Sequence, residues 1–244
     1  MNSESSPQSA GVSLAEFRAG MRDTGSIMLG YVATGLAFGI VARAGGLSIA
    51  EVGLMSLILY AGSAQFIVVA LLAAGAALSA IVFTVFLVNV RHLLYSAALA
   101  PYMRRLPLWM NVLVGIELTD ETFTLTSSKL LRGRAAQGGW FMGIQMTAHV
   151  IWVLSTLLGA VVGNVLGDLR VWGLDFALPA MFAGLLFMQL EHRPHKRLPL
   201  LIACVSATVG IVLSQYIASG WAVIVATLLG ATLGLILEGR GAWK

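Results

Sequence analysis

The sequence is short of charge. Only 11% of its 244 residues are Asp, Glu, Lys or Arg, less than half the share in an average soluble domain. A soluble chain of this size would lack the polar side chains to cover its own core. Cysteine is nearly absent too: Cys204 is alone and sits in an apolar run. That excludes an internal disulfide, a zinc knuckle and a Cys-ligated cluster. No hydrophilic stretch is long enough for a second, soluble domain, and no cofactor-binding motif is found. The strict apolar/polar alternation of outer-membrane strands is missing; runs such as IVVALLAAGAAL are continuously apolar. The basic excess, 15 Lys+Arg against 11 Asp+Glu, is too small and dispersed for a nucleic-acid surface. What remains is 58% hydrophobic. The lipid bilayer is therefore the expected surroundings, and helices are the spanning element.

The first dozen residues, MNSESSPQSAGV, read as a loose Ser-rich tail, without the basic start and short apolar run of a signal peptide. Leu14 to Arg22 reads as an amphipathic lead-in at the interface. Residues 1–22 are thus assigned to a cytoplasmic tail and 23–240 to a single transmembrane domain. Apolar segments follow at Thr24–Ala42, Ala50–Ala74, Ala77–Leu99, Leu108–Ser127, Gly138–Val162, Leu174–Leu190, Leu198–Ser214 and Trp221–Leu237. Each is near the ~20 residues that a ~30 Å hydrocarbon layer requires. The pattern predicts an all-α integral membrane protein of about eight spans. On that count Arg18, Arg22, Lys129, Arg132, Arg134, Arg193, Lys196, Arg197, Arg240 and Lys244 share the N-terminal side. Arg43, Arg104, Arg105 and Arg170 fall opposite, so both termini are expected in the cytoplasm. The Arg104–Arg105 pair dissents, as a misplaced span in the first half would explain.

Polar residues inside spans are the most informative, since a centred Asp, Lys or Arg costs about 2.5 to 3.5 kcal/mol to insert. The third span holds Asn89, Arg91 and His92. Asn89, His92 and Ser96 form one helical stripe while Arg91 and Tyr95 point elsewhere, so this helix is enclosed or its winding is interrupted. In the fourth, Glu117, Asp120 and Glu121 stand at i, i+3 and i+4, which on one helix puts three carboxylates on a single face, extended by Thr124. Arg91 and His92 are the obvious partners. A shallow span with solvated acids is the plainer alternative. In the second, Ala61-Gly62-Ser63-Ala64-Gln65 is either close helix packing or a local unwinding that presents backbone groups to a ligand. His149, one turn after Gln145, reads as an interhelical hydrogen bonder. Asp175 reads as a helix-start partner, and His192 to Arg197 as a basic orientation loop.

GLAFG…GLS at 35–48, MSLILYAGSAQF at 55–66, NVRHLLYSAAL at 89–99, TDETF at 119–123 and LDFALPAMFAGLL at 174–186 together resemble the AzlC family. Order and spacing agree from about Gly20 to Gly230, although the proline that many members carry near Val32 to Thr34 is missing. The resemblance implies proton-driven export of leucine, isoleucine, valine and in some cases methionine. It also implies a multi-pass place in the cytoplasmic (inner) membrane of a bacterium and a small membrane partner of the AzlD type. A homo-oligomer is left open.

A zwitterion in a membrane needs both charges met. Gly62, Ser63, Gln65, Asn89 and Arg91 are the expected partners of its carboxylate. Glu117 or Asp120 would meet the ammonium and exchange it for a proton, with Glu121 in the same proton-coupling set, His92 as a relay or a holder of Arg91, and Phe38 and Phe66 facing the apolar side chain. An exporter or a passive channel for another small organic solute is the alternative. An intramembrane enzyme has less support: there is no GxSxG elbow, and His92 with His149 is the one conceivable haem pair.

Overall fold

The computed structural model describes residues 13–73, 75–166, 183, 187, 197–217 and 219–239. Among these residues there are helices and no strand. They are α1 (Leu14–Ala44), α2 (Ile49–Ile58), α3 (Gly62–Ala73), α4 (Leu78–Asn89), α5 (Arg91–Met103), α6 (Leu108–Ile116), α7 (Asp120–Leu131), α8 (Gly138–Leu166), α9 (Arg197–Leu213) and α10 (Ser219–Gly239). α1 passes Arg22 without interruption, so no helix boundary separates the expected lead-in from the first span. The tail at 1–12, most of the expected sixth span, Asp175 and the basic loop before Arg197 lie outside the described residues.

The chain divides into two units, one holding α1–α3 and α5–α8 and the other α4, α9 and α10. The first is organised by α1 and α8. Gly20 lies against the backbone of Trp140, Gly143 and Ile144, and Gly143 against Phe17 and Gly20. Further along, Gly39 meets Thr156, Gly159 and Ala160, Gly159 meets Leu36, and Gly163 meets Ile40. The pairs 20/143, 36/159 and 40/163 keep a constant offset, so the two helices run parallel and in register along their length. Backbone-to-backbone approach of this kind is how helices associate where lipid removes the hydrophobic drive.

The expected second and fourth spans are not single crossings. α2 is antiparallel to α8: Gly53 faces Leu157, Ser56 bonds Thr156 at 2.9 Å, and Tyr60 stacks on His149. The chain then turns at Leu59–Ala61, where Leu59 has φ −97° and ψ 69° and the Ala61 N–H donates to the Leu59 carbonyl. α3 returns alongside α1, with Phe66 on Phe38 and Val69 at Gly45. The Gln65 amide ties the two arms by donating to the Met55 carbonyl at 2.9 Å.

α6 and α7 repeat this arrangement from the other end. Met110 and Leu106 lie at Gly138, the start of α8, and Glu117 reaches His149 partway along it. α7 then runs back along α1, from Thr119 at Tyr31 to Lys129 at Asp23. Its start is fixed by a box in which Thr119 and Thr122 bond each other's backbone N–H. Glu117 therefore ends one helix while Asp120 and Glu121 begin the next. The expected three-carboxylate face of one helix is replaced by acids on both sides of a turn. Apolar length cannot distinguish one crossing from two arms of about 15 Å each.

Three stretches are long and apolar enough to cross a membrane: Leu14–Ala44, Leu78–Met103 (α4 and α5, which meet at Val90) and Gly138–Gly163. In the second unit α9 and α10 form an antiparallel pair, with Gly210 against Ala226 and Gly230 against Ser206. Cys204 is exposed on α9.

Gly143→Leu would force a side chain into the backbone of Phe17 and Gly20. A penalty at or above the usual 1–3 kcal/mol of overpacking is expected, read as a thermal midpoint in detergent several degrees below wild type. Gly30→Ala, which meets nothing within 4 Å, should leave the midpoint unchanged or slightly raised. Equal midpoints for Gly143→Leu and wild type would remove this account of α1–α8 packing.

Candidate functional site

Three interruptions of the first unit's helices gather about halfway along α1 and α8: the α2–α3 turn, Val90 before α5, and the α6–α7 turn. Each leaves helix ends whose N–H or C=O groups have no partner within the helix. Each also carries the expensive side chains.

Arg91, the first residue of α5, joins the two turns. Its Nη2 lies 2.9 Å from Asp120 Oδ2 and donates as well to Ser63 Oγ in the first turn of α3. Tyr95, one turn later, donates to Asp120 Oδ1 at 2.7 Å. Asp120 thus has both oxygens met, which is what a carboxylate 9% exposed requires. Tyr95 stacks on Phe123 at 4.4 Å, holding its hydroxyl in place.

The second cluster centres on Glu117. Its Oε2 lies 2.7 Å from His149 Nδ1, and the imidazole stacks nearly flat on Tyr60, with ring centres 4.1 Å apart and planes 6° apart. The Tyr60 hydroxyl is 3.2 Å from that of Tyr31, which lies 2.5 Å from Thr119 Oγ1. Tyr31 and Thr119 therefore link one hairpin tip to the other. Glu121 lies within electrostatic reach of Tyr31, Tyr60 and Asp120.

Of the residues expected from sequence, Ser63, Arg91 and Asp120 come together directly. Glu117 and Glu121 stand beside them, and Gly62 is against the Trp152 ring. Gln65 is fully buried and already bonded to Met55, Ser56 and Trp152 Nε1, so its amide braces the hairpin. Phe38 and Phe66 pack edge to face at 5.3 Å, with Trp152 on the other side of Phe38. Asn89 Oδ1 is buried without a hydrogen-bond partner. His92 tilts against Tyr95 at 5.8 Å; the imidazole that meets a carboxylate is that of His149. Sequence reading also missed Tyr31, Tyr60 and Trp152, because an aromatic residue in an apolar run carries no mark of its tertiary partner.

Fold and site together define a helical membrane protein with a buried, charged centre. The chain belongs to the AzlC family: the family described as AzlC protein matches residues 26–166, a range that contains the whole cluster. It is 34% identical over 206 residues to the inner membrane protein YgaZ of Escherichia coli, covering 82% of each chain. It is 33% identical to an uncharacterized membrane protein of Archaeoglobus fulgidus, over 73% of this chain and 78% of that one. A Bacillus subtilis relative named branched-chain amino acid transport protein AzlC is 25% identical, over 74% of this chain and 71% of its own. No solved structure matches the chain.

Removing either member of the Arg91–Asp120 pair leaves a buried charge unmatched, which costs about 3–5 kcal/mol. Arg91→Leu and Asp120→Leu should each destabilise strongly, and the double variant should lose less than the two losses added. A coupling of 1 kcal/mol or more in a double-mutant unfolding cycle is expected. Additivity would show that the pair is not formed in the bilayer.

Proposed function

We propose that the chain is a proton-coupled secondary transporter that exports small apolar amino acids, the branched-chain ones foremost, and is not an enzyme. The observation that carries this reading is Arg91, which bridges Ser63 and Asp120 where two helical hairpins meet. A substrate carboxylate can take the place of Asp120 on Arg91, beside the unbonded N–H groups that begin α3. Asn89, whose Oδ1 is buried without a hydrogen-bond partner, ends α4 two residues before Arg91. The ammonium group then meets Glu117 or Glu121 near the carbonyl ends of α2 and α6, and the apolar side chain lies toward Phe66 and Phe38. Gly62 gives the Trp152 ring room against the start of α3, Gln65 positions that start, and His92 flanks Arg91.

Charge arithmetic supports coupling to protons. Among the described residues the centre has three carboxylates, Glu117, Asp120 and Glu121, against one permanent cation, Arg91. Each unmatched charge at mid-membrane costs about 2.5 to 3.5 kcal/mol. Protons on the acids or on His149 relieve that cost when no ammonium is present, so substrate and proton compete for one set of groups.

On this reading α2–α3 and α6–α7 are re-entrant hairpins entering from opposite faces. Leu106 lies at the start of α8, which moves Arg104 and Arg105 to the same side as Arg18, Arg22, Lys129, Arg132 and Arg134. Arg43 is left at the other end, so the basic bias favours a cytoplasmic N-terminus more strongly than eight full crossings do. Residues 23–240 act as one transport domain of the cytoplasmic membrane, with an AzlD-type small membrane protein as partner and Asp120 and Glu117 as the coupling acids.

Efflux of radiolabelled leucine, valine and methionine from proteoliposomes under an imposed pH gradient, with and without the partner, tests this. Flux should collapse with the gradient, and Asp120→Asn and Glu117→Gln should each reduce it tenfold or more. Unchanged flux in both variants would remove the carboxylate mechanism.

A further inference from the structure

We propose that α7 and α8 enclose a line of bound water that delivers protons to His149 from the Asp23–Lys129 end of the first unit. The inference rests on the proton-coupled reading and adds the route. His149 uses Nδ1 on Glu117 at 2.7 Å, while its Nε2 is buried with no hydrogen-bond partner. The flat stack on Tyr60 fixes the ring plane, so Nε2 is turned away from Glu117. One turn earlier on the same face is Gln145, fully buried, with neither Oε1 nor Nε2 bonded. A buried amide without partners loses its hydration and gains nothing in return, a cost that leucine in the same place would avoid. Gln65, equally buried, has its amide met by protein groups. The fold thus satisfies a buried glutamine where the role is bracing.

Thr126 on α7 shows the same contrast. Thr24, Thr124 and Ser128 each donate to a carbonyl of their own helix. The Thr126 hydroxyl, fully buried, does not, and has no partner. It lies on the face that carries Thr119, Thr122 and Lys129. α7 and α8 are antiparallel; Glu117–His149 ties α8 to the turn that precedes α7, and Asp23 joins the two helices at the other end. Asp23 takes Lys129 Nζ on one oxygen at 2.7 Å and Trp140 Nε1 on the other at 2.9 Å. Gln145 and Thr126 fall between these ends, about 15 Å apart along α7. A buried water needs two to four polar partners, and these unbonded atoms, with His149 Nε2, are of the donor and acceptor kinds required.

A proton arriving at Nε2 gives an imidazolium whose other N–H donates to the Glu117 carboxylate, taking the pair's net charge from −1 to zero. Tyr60, Tyr31 and Glu121 surround that end; Asp23, Lys129 and Arg134, which lies over the Trp140 ring at 5.5 Å, surround the other.

Water-edited solid-state NMR of the protein in bilayers, reading the Gln145 and Gln65 side-chain amides, needs no solute. Transfer from water to Gln145 should be several-fold faster than to Gln65; equally slow transfer overturns the proposal. In proteoliposomes, Gln145→Leu and the isosteric Thr126→Val should keep leucine counterflow, which moves no net proton, within twofold of wild type. Both should lose tenfold or more of pH-gradient-driven flux. Gradient-driven flux at the wild-type level in both, or equal loss of the two activities in Thr126→Val, overturns it. A wild type that exchanges leucine but ignores the gradient overturns the coupling reading instead, and leaves the water contact to stand on the NMR result.

Discussion

Backbone N–H and C=O groups enclosed among apolar helices must find partners inside the protein, and the first unit is arranged around meeting that demand at two chain turns. Near Leu59–Ala61 the Met55 carbonyl accepts the Leu59 N–H and, as a second donor, the Gln65 amide, which ties α3 to the end of α2. Near Glu117–Thr119 the Thr119–Thr122 box closes the start of α7. Neither turn would persist facing lipid. α1 and α8, packed glycine against backbone, supply the continuous wall that encloses them.

That wall also explains where charge is tolerated. The parallel pair carries Tyr31 and His149, each turned toward a hairpin tip. The tyrosine hydroxyl ties the tips together by hydrogen bonds that carry no net charge, while the imidazole meets an acid. Among the described residues of this centre the permanent cation is Arg91, which comes from a third direction and joins α3, α5 and α7 through Ser63 and Asp120.

The family, the helical membrane class and the polar centre were legible in the sequence because they rest on local properties: apolar runs, a five-residue run of small and amide side chains at Ala61–Gln65, and acids where acids are costly. Arg91 facing the fourth segment followed from charge alone. The hairpins were not legible, because a 25-residue apolar segment with a break at its centre has the same hydropathy whether the chain continues or reverses. The hints were present: Ala61-Gly62-Ser63 in one segment and the Thr119 cap in the other. The dissenting Arg104–Arg105 pair was the sharper clue, since folding back one preceding segment removes the conflict. His149 reads from sequence as an interhelical hydrogen bonder, as its contact with Glu117 shows, but its partners were not legible, and Tyr60 was missed. Their pairing arises only when the tip of one hairpin lies on the middle of a helix some 90 residues away in sequence.

A helical hairpin attached at one face is a pair of levers with their free ends at the centre. With arms of about 15 Å, a swing of about 10° at the base carries the tip roughly 2.5 Å, comparable to the 2.9 Å that separates Arg91 from Asp120. Because Tyr31 and Arg91 join the two tips, a stroke of about one hydrogen bond's length at either tip would break its hold on the other.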